Sequence, residues 1–327
     1  MNMISRYNNL RLLSGDASHR IFYRKFGKKN SIIIYANKEK KKNLLVYDAI
    51  NNLINNCKLS APKLISENYN KNYIEVSDFG DRTLYKHIQK KKNKFYDYKK
   101  VINLLIKLQK IDKRKVKNFN KQYYQIPAYS LSTLIKESDY FFNWYLPLIF
   151  NEKKVKYMKK KYRSKLNGIY RKLKLNNSFF VHRDFHISNL MYYRNKLRII
   201  DSQDALIGNP AYDVASLVDD VRIKTPINLK NKILKFYLKN CEKKTKLNIK
   251  DFINDFNILS VQRNFKILGV FSRLFKRDKK KNYLKLLPHT WKLLDLRMKN
   301  NKHFNNLYRE LSMDISNKIK NKKFNEN

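Results

Sequence analysis

The chain has 327 residues, about the length of two average domains, so one small module cannot account for it. Hydrophobic residues make up 43% and aromatic residues 13% of the sequence, which excludes disorder for most of the chain despite a mean hydropathy of −0.68. The formal net charge of +47, taken alone, points to nucleic acid or to an anionic membrane surface.

The basic excess has two possible explanations. It is mostly lysine, runs from Lys25 to Lys323, and accompanies abundant Asn, Ile and Tyr, as an AT-rich coding sequence would produce. We therefore favour a solvated lysine surface set by composition over a selected site for a polyanion. Nucleic acid is accordingly not expected as a partner.

Cysteine usage and hydropathy indicate a cytoplasmic protein. Cys57 and Cys241 lie far apart and form no CxxC motif, so neither a disulfide framework nor a zinc site is expected. The most apolar stretch, residues 141–150, is ten residues long, whereas a membrane-spanning helix needs about 20. We expect neither a membrane span nor, at the N-terminus, a secretory signal.

The first eighty residues have the pattern of short strands around one helix. Strands are predicted at 21–23, 31–35, 63–65 and 72–76, with a hairpin turn at 27–30 and a helix at 43–56. This pattern predicts a small α+β lobe over residues 1–79.

Helical periodicity dominates after residue 80. Helices are predicted at 83–90, 95–111, 130–146 and 152–175, and again from 211 toward 320. Three short apolar runs between residues 177 and 201 interrupt them and predict a small sheet insert. We therefore expect a second, mainly helical lobe over residues 80–327.

Polar residues are concentrated in this insert, in the segment HRDFHISN at 182–189, and Asp201 ends the next apolar run. The flanking strands would hold Asp184, Asn189 and Asp201 on short loops whose side chains converge in one cleft. Phosphoryl transfer requires such a trio. One carboxylate orients the acceptor hydroxyl and takes its proton, while an amide and a second carboxylate supply oxygen ligands to Mg²⁺.

This segment resembles the kinase-like phosphotransferase superfamily, which includes protein kinases and the aminoglycoside and choline kinases. The resemblance implies a bilobal protein-kinase-like α+β fold that uses ATP and Mg²⁺. It makes Asp184 the catalytic base, with Arg183 beside it in the motif, and Asn189 and Asp201 the metal ligands. His182 would pack the catalytic loop.

The residues after Asp201 indicate the branch of the superfamily. Only eleven residues separate Asp201 from Asp213, which leaves no room for the peptide platform of protein kinases. The segment resembles that of small-molecule kinases, in which Asp213 would open a helix and brace the catalytic loop. His186, Gln203 and Asp204 are candidates for contacts with the acceptor.

Three motifs together narrow the resemblance. They are SGDAS at 14–18, HRDFH at 182–186 with the following Asn-Leu-Met, and DSQDA at 201–205 with the following Ala-Tyr-Asp. They resemble those of the bacterial kinases that phosphorylate the anomeric hydroxyl of N-acetylmuramate and N-acetylglucosamine in cell-wall recycling. A monomer acting on a small sugar is therefore expected.

The same resemblance suggests how the nucleotide is held. Ser14, Gly15 and Ser18 would contact phosphates through main-chain N–H groups and hydroxyls, because the segment sits where a phosphate-covering loop belongs. The main chain of Glu75 and Val76, in the connection between the lobes, would bind adenine.

One departure and two alternatives remain open. The strand at 31–35 holds no lysine and the following helix no glutamate, so the usual phosphate-binding Lys and its partner are missing. A lysine of the 38–42 run is one substitute, although a solvated charge run explains these residues better. The alternatives are an aminoglycoside- or choline-type kinase with another acceptor, and a weakly active kinase-like scaffold that binds RNA.

Overall fold

In a computed structural model of the protein, the structure describes residues 9–13, 20–245, 247–299 and 301–322. The chain divides into two compact units. The first comprises Met1–Pro127 and His182–Ile207, and the second Ala128–Val181 and Gly208–Asn327. The predicted catalytic segment thus belongs to the same unit as the N-terminal strands. The predicted lobe boundary between residues 79 and 80 stays a prediction.

The described residues contain short strands in the first two thirds of the chain and helices throughout. The strands are β1 (Leu10–Leu13), β2 (Arg20–Lys25), β3 (Ser31–Ala36), β4 (Leu64–Asn68), β5 (Tyr73–Ser77), β6 (Lys115–Lys117), β7 (Tyr123–Gln125), β8 (Phe179–Val181), β9 (Leu190–Tyr193), β10 (Lys196–Ile199) and β11 (Leu206–Gly208). The helices are α1 (Lys42–Asn56), α2 (Leu84–Gln89), α3 (Phe95–Leu108), α4 (Leu131–Tyr140), α5 (Glu152–Tyr170), α6 (Ala211–Val218), α7 (Ile227–Thr245), α8 (Ile249–Lys276), α9 (Leu287–Met298), α10 (Asn305–Asp314) and α11 (Asn317–Lys320).

The first unit is built on a five-stranded sheet in the order β1-β2-β3-β5-β4, in which every neighbouring pair is antiparallel. The predicted hairpin is confirmed, since β2 and β3 pair across the turn at residues 27–30. Helix α1 packs on the sheet and closes a small core. That core contains Ile34, Ala36, Leu44, Tyr47, Ile74 and Val76.

The first unit also contains two short hairpins. Strands β9 and β10 form one of them, with Ile199 opposite Leu190, so two of the three apolar runs of the predicted sheet insert pair with each other and the first run does not join them. Strands β6 and β7 form the other, which the sequence pattern did not predict. Three-residue strands rich in Lys and Tyr are too short for an alternating pattern to stand out.

The second unit is organised around the long helix α8, which packs against α4, α6 and α9. The helix predicted at 130–146 changes type along its length, because α4 ends at Tyr140 and continues as a π-helical turn (Phe141–Tyr145) and a 3₁₀ turn (Leu146–Leu148). At this point α8 comes very close, since a Cβ on Gly269 would lie 2.1 Å from the carbonyl carbon of Tyr140.

None of the helices in the described ranges combines the length and the apolar character needed to cross a membrane.

Candidate active site

The β9–β10 hairpin brings two of the predicted site residues together. Asn189 immediately precedes β9, and Asp201 comes after β10 with one residue between. Because the two strands are antiparallel partners, both side chains belong to the open end of the same hairpin. The main chain fixes the spacing, as the Ile200 N–H donates to the Asn189 carbonyl oxygen over 3.1 Å.

His182 fastens the start of the catalytic segment to this hairpin. Its ring is fully buried, and its Nε2 lies 3.1 Å from the Ile200 carbonyl oxygen. Since a carbonyl can only accept, Nε2 carries the proton and donates. Burial lowers the pKa of His182, which keeps the imidazole neutral, although the nearby carboxylates of Asp184 and Asp201 oppose the shift. The ring therefore holds the residue next to Asp201 in place.

The backbone on both sides of the site is strained. Arg183 and Asp201 adopt φ angles of 72° and 62°, in the left-handed region that favours glycine. A non-glycine residue there costs about 1–2 kcal/mol. Such conformations persist only where the surrounding contacts over-determine them, and they cluster at functional sites.

Asp184 lies inside the loop that these residues frame. Its carbonyl oxygen accepts hydrogen bonds from the His186 N–H over 3.0 Å and from Asn189 Nδ2 over 3.1 Å. The Asn189 amide nitrogen is thereby fixed, which leaves its Oδ1 as the atom suited to a cation. The Asp184 carboxylate is near enough to Asp201 to influence its ionisation.

The Asp201 carboxylate interacts with several charged and polar groups of the site. Its Oδ1 accepts hydrogen bonds from Arg20 Nη2 over 3.2 Å and from Gln203 Nε2 over 3.0 Å. Loss of water around the carboxyl raises its pKa and Asp184 raises it further, whereas Arg20 lowers it. The side chain retains 43% of its accessible surface, so a cation can reach the carboxylate.

Asn189 and Asp201 together fit a magnesium ion that shares its ligands with a substrate. Their donor atoms are a neutral and an anionic oxygen, the type that Mg²⁺ prefers, and both residues line one cavity. The described part of the chain contains no cluster of three or more His, Cys, Asp or Glu able to hold a metal. Mg²⁺ is commonly bound by one or two protein groups, with phosphate oxygens and water completing the octahedron.

The cavity beside these residues has a volume of about 270 Å³ and lies within the first unit. Its walls combine apolar and polar side chains, and the residues at the end of β5 and just after it form part of the lining. The lining residues are Leu13, Phe22, Arg24, Ile32, Tyr47, Pro62, Val76, Ser77, Asp78, Phe79, Gly80, Ser188, Asn189, Met191, Ile200 and Asp201. A cleft that combines apolar walls with polar groups is the usual form of a cofactor site.

Of the two residues predicted to bind adenine, only one is among the residues that line the cavity. Val76 lines the cavity. The Glu75 side chain instead accepts hydrogen bonds from Ser31 Oγ over 2.6 Å and from Lys25 Nζ over 3.2 Å. Burial alone would raise the pKa of Glu75, but these two partners outweigh it and lower the pKa. The prediction for Glu75 concerns its main chain and stays a prediction.

The predicted acceptor contacts lie on both sides of the strained loop. His186 is buried, whereas Gln203 Nε2 bridges Asp201 Oδ1 and Asp204 Oδ2, at 3.0 Å from each. Arg183 Nη1 donates to the Asp204 carbonyl oxygen over 3.3 Å. The Tyr124 phenol, on β7, is close to this pair, since burial and then Asp204 raise its pKa.

Two further predictions concern other parts of the chain. Asp213 lies in the first turn of α6 and is fully buried in the second unit. Its role as a brace for the catalytic loop stays a prediction. Ser14, Gly15 and Ser18 lie outside the described residues.

Comparison with known proteins identifies the family. Residues 9–247 match the model of the phosphotransferase enzyme family. The chain belongs to this family. The predicted enzyme class, a phosphotransferase with an alcohol group as acceptor, is thereby confirmed.

Curated bacterial relatives of this phosphotransferase carry one shared name. An N-acetylmuramate/N-acetylglucosamine kinase of Pseudomonas aeruginosa is 26% identical over 288 residues, which cover 86% of this chain and 81% of that protein. One from Neisseria meningitidis serogroup B is 23% identical, covering 86% of this chain and 83% of its own length. The resemblance inferred from three motifs is thus confirmed over most of the chain.

Solved structures confirm the predicted fold class. An ADP-bound aminoglycoside phosphotransferase has a TM-score of 0.58 at 14% identity, covering 88% of this chain and 93% of that one. A choline kinase from Streptococcus pneumoniae has a TM-score of 0.61 at 12% identity, with the same coverage. At such identities the likeness shows the shared fold.

Two residues near the metal ligands of this phosphotransferase were not predicted from the sequence. Arg20, on β2, contacts Asp201, and the Tyr47 ring, on α1, lies 5.4 Å from the Arg20 guanidinium carbon. A signal was available, because an Arg in an apolar strand one strand away from the expected lysine is unusual. The spacing alone does not reveal which side of the sheet meets the cleft.

Proposed function

We propose that this phosphotransferase is an ATP- and Mg²⁺-dependent kinase for the anomeric hydroxyl of N-acetylmuramate or N-acetylglucosamine. The observation that carries the proposal is the match to two bacterial relatives of that name over 86% of the chain. The gathering of Asn189 and Asp201 beside a cavity, with Asp184 in the adjoining loop, supports the chemistry.

Asp184 acts on the acceptor. Its carboxylate accepts a hydrogen bond from the anomeric hydroxyl, orients it, and takes its proton as the hydroxyl oxygen attacks the γ-phosphorus of ATP. An anomeric hydroxyl is more acidic than other sugar hydroxyls, so one carboxylate suffices. Arg183 and His182 keep the loop in place.

Asn189 Oδ1 and Asp201 Oδ2 hold the magnesium ion. When bound, Mg²⁺ supplies positive charge between the nucleotide phosphates and neutralises the charge that develops during transfer. Asp201 contributes a negative charge as well as an oxygen, whereas Asn189 contributes an oxygen dipole alone. Asp201 therefore carries more of the affinity for the metal.

The nucleotide lies in the cavity of the first unit. Its base packs on the apolar side chains of the walls and hydrogen-bonds the main chain between Glu75 and Gly80. Ser14, Gly15 and Ser18 cover the phosphates. His186, Gln203 and Asp204 contact sugar hydroxyls on the acceptor side.

Charge favours an acidic or neutral acceptor over a polycation. An aminoglycoside needs a pocket rich in Asp and Glu, and the chain has 26 such residues against 73 Lys and Arg. N-acetylmuramate carries a carboxylate and suits this balance. We propose that the protein acts as a monomer in the cytoplasm.

The experiment offers a panel of acceptors to the purified protein with Mg-ATP and follows ADP release. The panel contains N-acetylmuramate, N-acetylglucosamine, the 1-O-methyl glycoside of N-acetylglucosamine, kanamycin, choline and a generic protein substrate. We expect turnover with the two free amino sugars and none with the methyl glycoside, which lacks only the attacking hydroxyl. Turnover with choline or kanamycin alone would reject the sugar assignment and leave a kinase with another acceptor.

The scaffold alternative predicts a different result. A protein whose main activity is binding RNA would release no ADP with any acceptor, and its RNA affinity would fall steeply between low and physiological salt.

A further inference from the structure

A buried cation that the strand pattern did not predict, Arg20, lies behind residues that line the cleft. Kinases of this general type place a phosphate-binding Lys on the third strand, paired with a Glu on the following helix. Here β3 reads SIIIYA and α1 contains no Glu. Arg20 lies on the neighbouring strand β2, and only 7% of its side chain is exposed.

The position of Arg20 is explained by its cross-strand neighbour. It pairs with Ala36 of β3, and side chains at paired positions lie on the same face of a sheet. Alanine is small, which leaves room for the longer side chain to extend over β3 toward α1. The guanidinium carbon there lies 5.7 Å from the ring centre of Phe22 and 5.4 Å from that of Tyr47.

Three residues that contact Arg20 line the nucleotide cavity. They are Phe22, Tyr47 and Asp201, and the last accepts a hydrogen bond from Nη2 over 3.2 Å. The guanidinium is therefore held at the end of the cavity where the metal ligands are. Its planar fork of five N–H donors matches phosphate oxygens and can serve a carboxylate and a phosphate together.

The usual glutamate partner on the helix is also replaced by other residues of α1. Burial raises the pKa of Tyr47 to about 12, so α1 presents a neutral aromatic face to Arg20 rather than a carboxylate. The link between α1 and the metal segment is made instead by Ser202, whose Oγ donates to Asn51 Oδ1 over 2.6 Å. Both side chains are buried, and Ser202 directly follows Asp201.

We propose that Arg20 binds the α- and β-phosphates of the nucleotide and takes the place of the missing strand lysine. The proposal rests on the function proposed above. Tyr47 and Phe22 hold the guanidinium by cation–π contacts, and the bond to Asp201 orients it toward the phosphates. Arg20 thus increases the affinity for nucleotides that carry these phosphates, and it does not contribute to binding of the base.

Nucleotide binding by calorimetry tests this directly. Adenosine, ADP and Mg-ATP are titrated into the wild type, Arg20→Met and Arg20→Lys. We expect Arg20→Met to lose about 10- to 100-fold in affinity for ADP and Mg-ATP, the range for a charge-assisted hydrogen bond, and to bind adenosine as the wild type does. Arg20→Lys keeps the charge without the fork, so its loss is smaller.

Arg24 offers a matched control on the same strand. It lies on the same face of β2, is also buried, and pairs with Asp78 and Asp81 beside the connecting segment. Arg24 lines the cavity at the segment after β5, which is proposed to hold the base. In Arg24→Met, the affinities for adenosine and for ADP should therefore fall by the same factor. Circular dichroism checks that every variant is folded.

The outcomes separate this inference from the function on which it rests. If the wild type bound no nucleotide, both would be rejected. If the wild type bound ADP more tightly than adenosine and Arg20→Met kept the same ratio, Arg20 would have no phosphate role while the kinase proposal stood. An equal loss for adenosine and ADP in Arg20→Met and Arg20→Lys would assign Arg20 a purely structural role.

Discussion

Asp184 presents two chemically different groups to the site. Its carboxylate is the proposed proton acceptor, while its main-chain carbonyl holds the His186 N–H and the Asn189 amide. Asp184→Asn removes the first function and keeps the second. We expect kcat to fall by about 10²- to 10⁴-fold, the usual contribution of a general base, with the affinity for Mg-ATP changed by less than about twofold.

Initial rates of ADP release and calorimetry measure these two quantities on the same preparation. Asp112→Asn is the control, because it changes an exposed carboxylate that is not proposed to contact the acceptor, the metal or the nucleotide. Near-full kcat in Asp184→Asn would remove the residue from the reaction.

The two proposed metal ligands should respond differently to removal. Asp201→Ala deletes a charge and also frees Arg20 from its carboxylate, so phosphates are then attracted without metal. We expect its ATP binding to be the same in Mg²⁺ and in EDTA. Asn189→Ala deletes only a dipole and should keep part of the Mg²⁺ dependence.

Calorimetry with ATP in each buffer compares the wild type with both variants. If Asp201→Ala kept the full Mg²⁺ dependence, the ligand would have to be sought elsewhere, with Asp204 the next candidate.

The approach of Asn189 to Asp201 could be predicted from sequence, whereas the contact between Arg20 and Asp201 could not. The loop residues lie close together in the chain and between strands, so their convergence is a result of the local pairing of β9 with β10. Arg20 reaches Asp201 across a separation of 181 residues. Strand alternation shows which residues share a face, but the partner of a face depends on tertiary packing.

At the scale of elements, the strongly periodic segments were predicted well. The β2–β3 hairpin and α1 are explained by a turn and a clear apolar pattern. The helix predicted at 130–146 is confirmed as helical, but the aromatic run 141–145 adopts π-helical rather than α-helical geometry. The close approach of Gly269 to Tyr140 at that point is a tertiary contact, which periodicity does not contain.

Gly269→Ala tests that contact. The added Cβ would meet main-chain atoms of Tyr140 at 2.1 to 2.2 Å, and no side-chain rotation can relieve a clash with backbone. Helix α8 must shift against α4. We expect a loss of about 3 kcal/mol, at the upper end for overpacking, and a melting temperature lower by about 6–12 °C.

The chain provides a matched control in Gly168, in the last turn of α5, where a Cβ would meet nothing within 4 Å. Gly168→Ala should stabilise the protein by about 0.5–1 kcal/mol through helix propensity alone. Thermal unfolding of both variants gives the comparison, and equal melting temperatures would show that α8 accommodates the methyl group.

At the scale of the whole molecule, the net charge of +47 creates a positive field around every surface. Such a field raises the local concentration of anions and leaves neutral solutes unaffected. The two proposed acceptors differ in this respect, since N-acetylmuramate carries a carboxylate and N-acetylglucosamine is neutral. Comparison of their KM values therefore isolates the electrostatic contribution to acceptor binding in one enzyme.

We expect the KM for N-acetylmuramate to rise by about threefold or more between about 0.01 M and about 0.15 M salt, over which the Debye length falls from about 30 to about 8 Å. The KM for N-acetylglucosamine should stay within about twofold, because screening does not act on a neutral sugar. Rates are measured at saturating Mg-ATP, so that the salt dependence of nucleotide binding does not enter. Parallel changes for both sugars would mean that the lysine surface exerts no attraction at the acceptor site and is a consequence of composition alone.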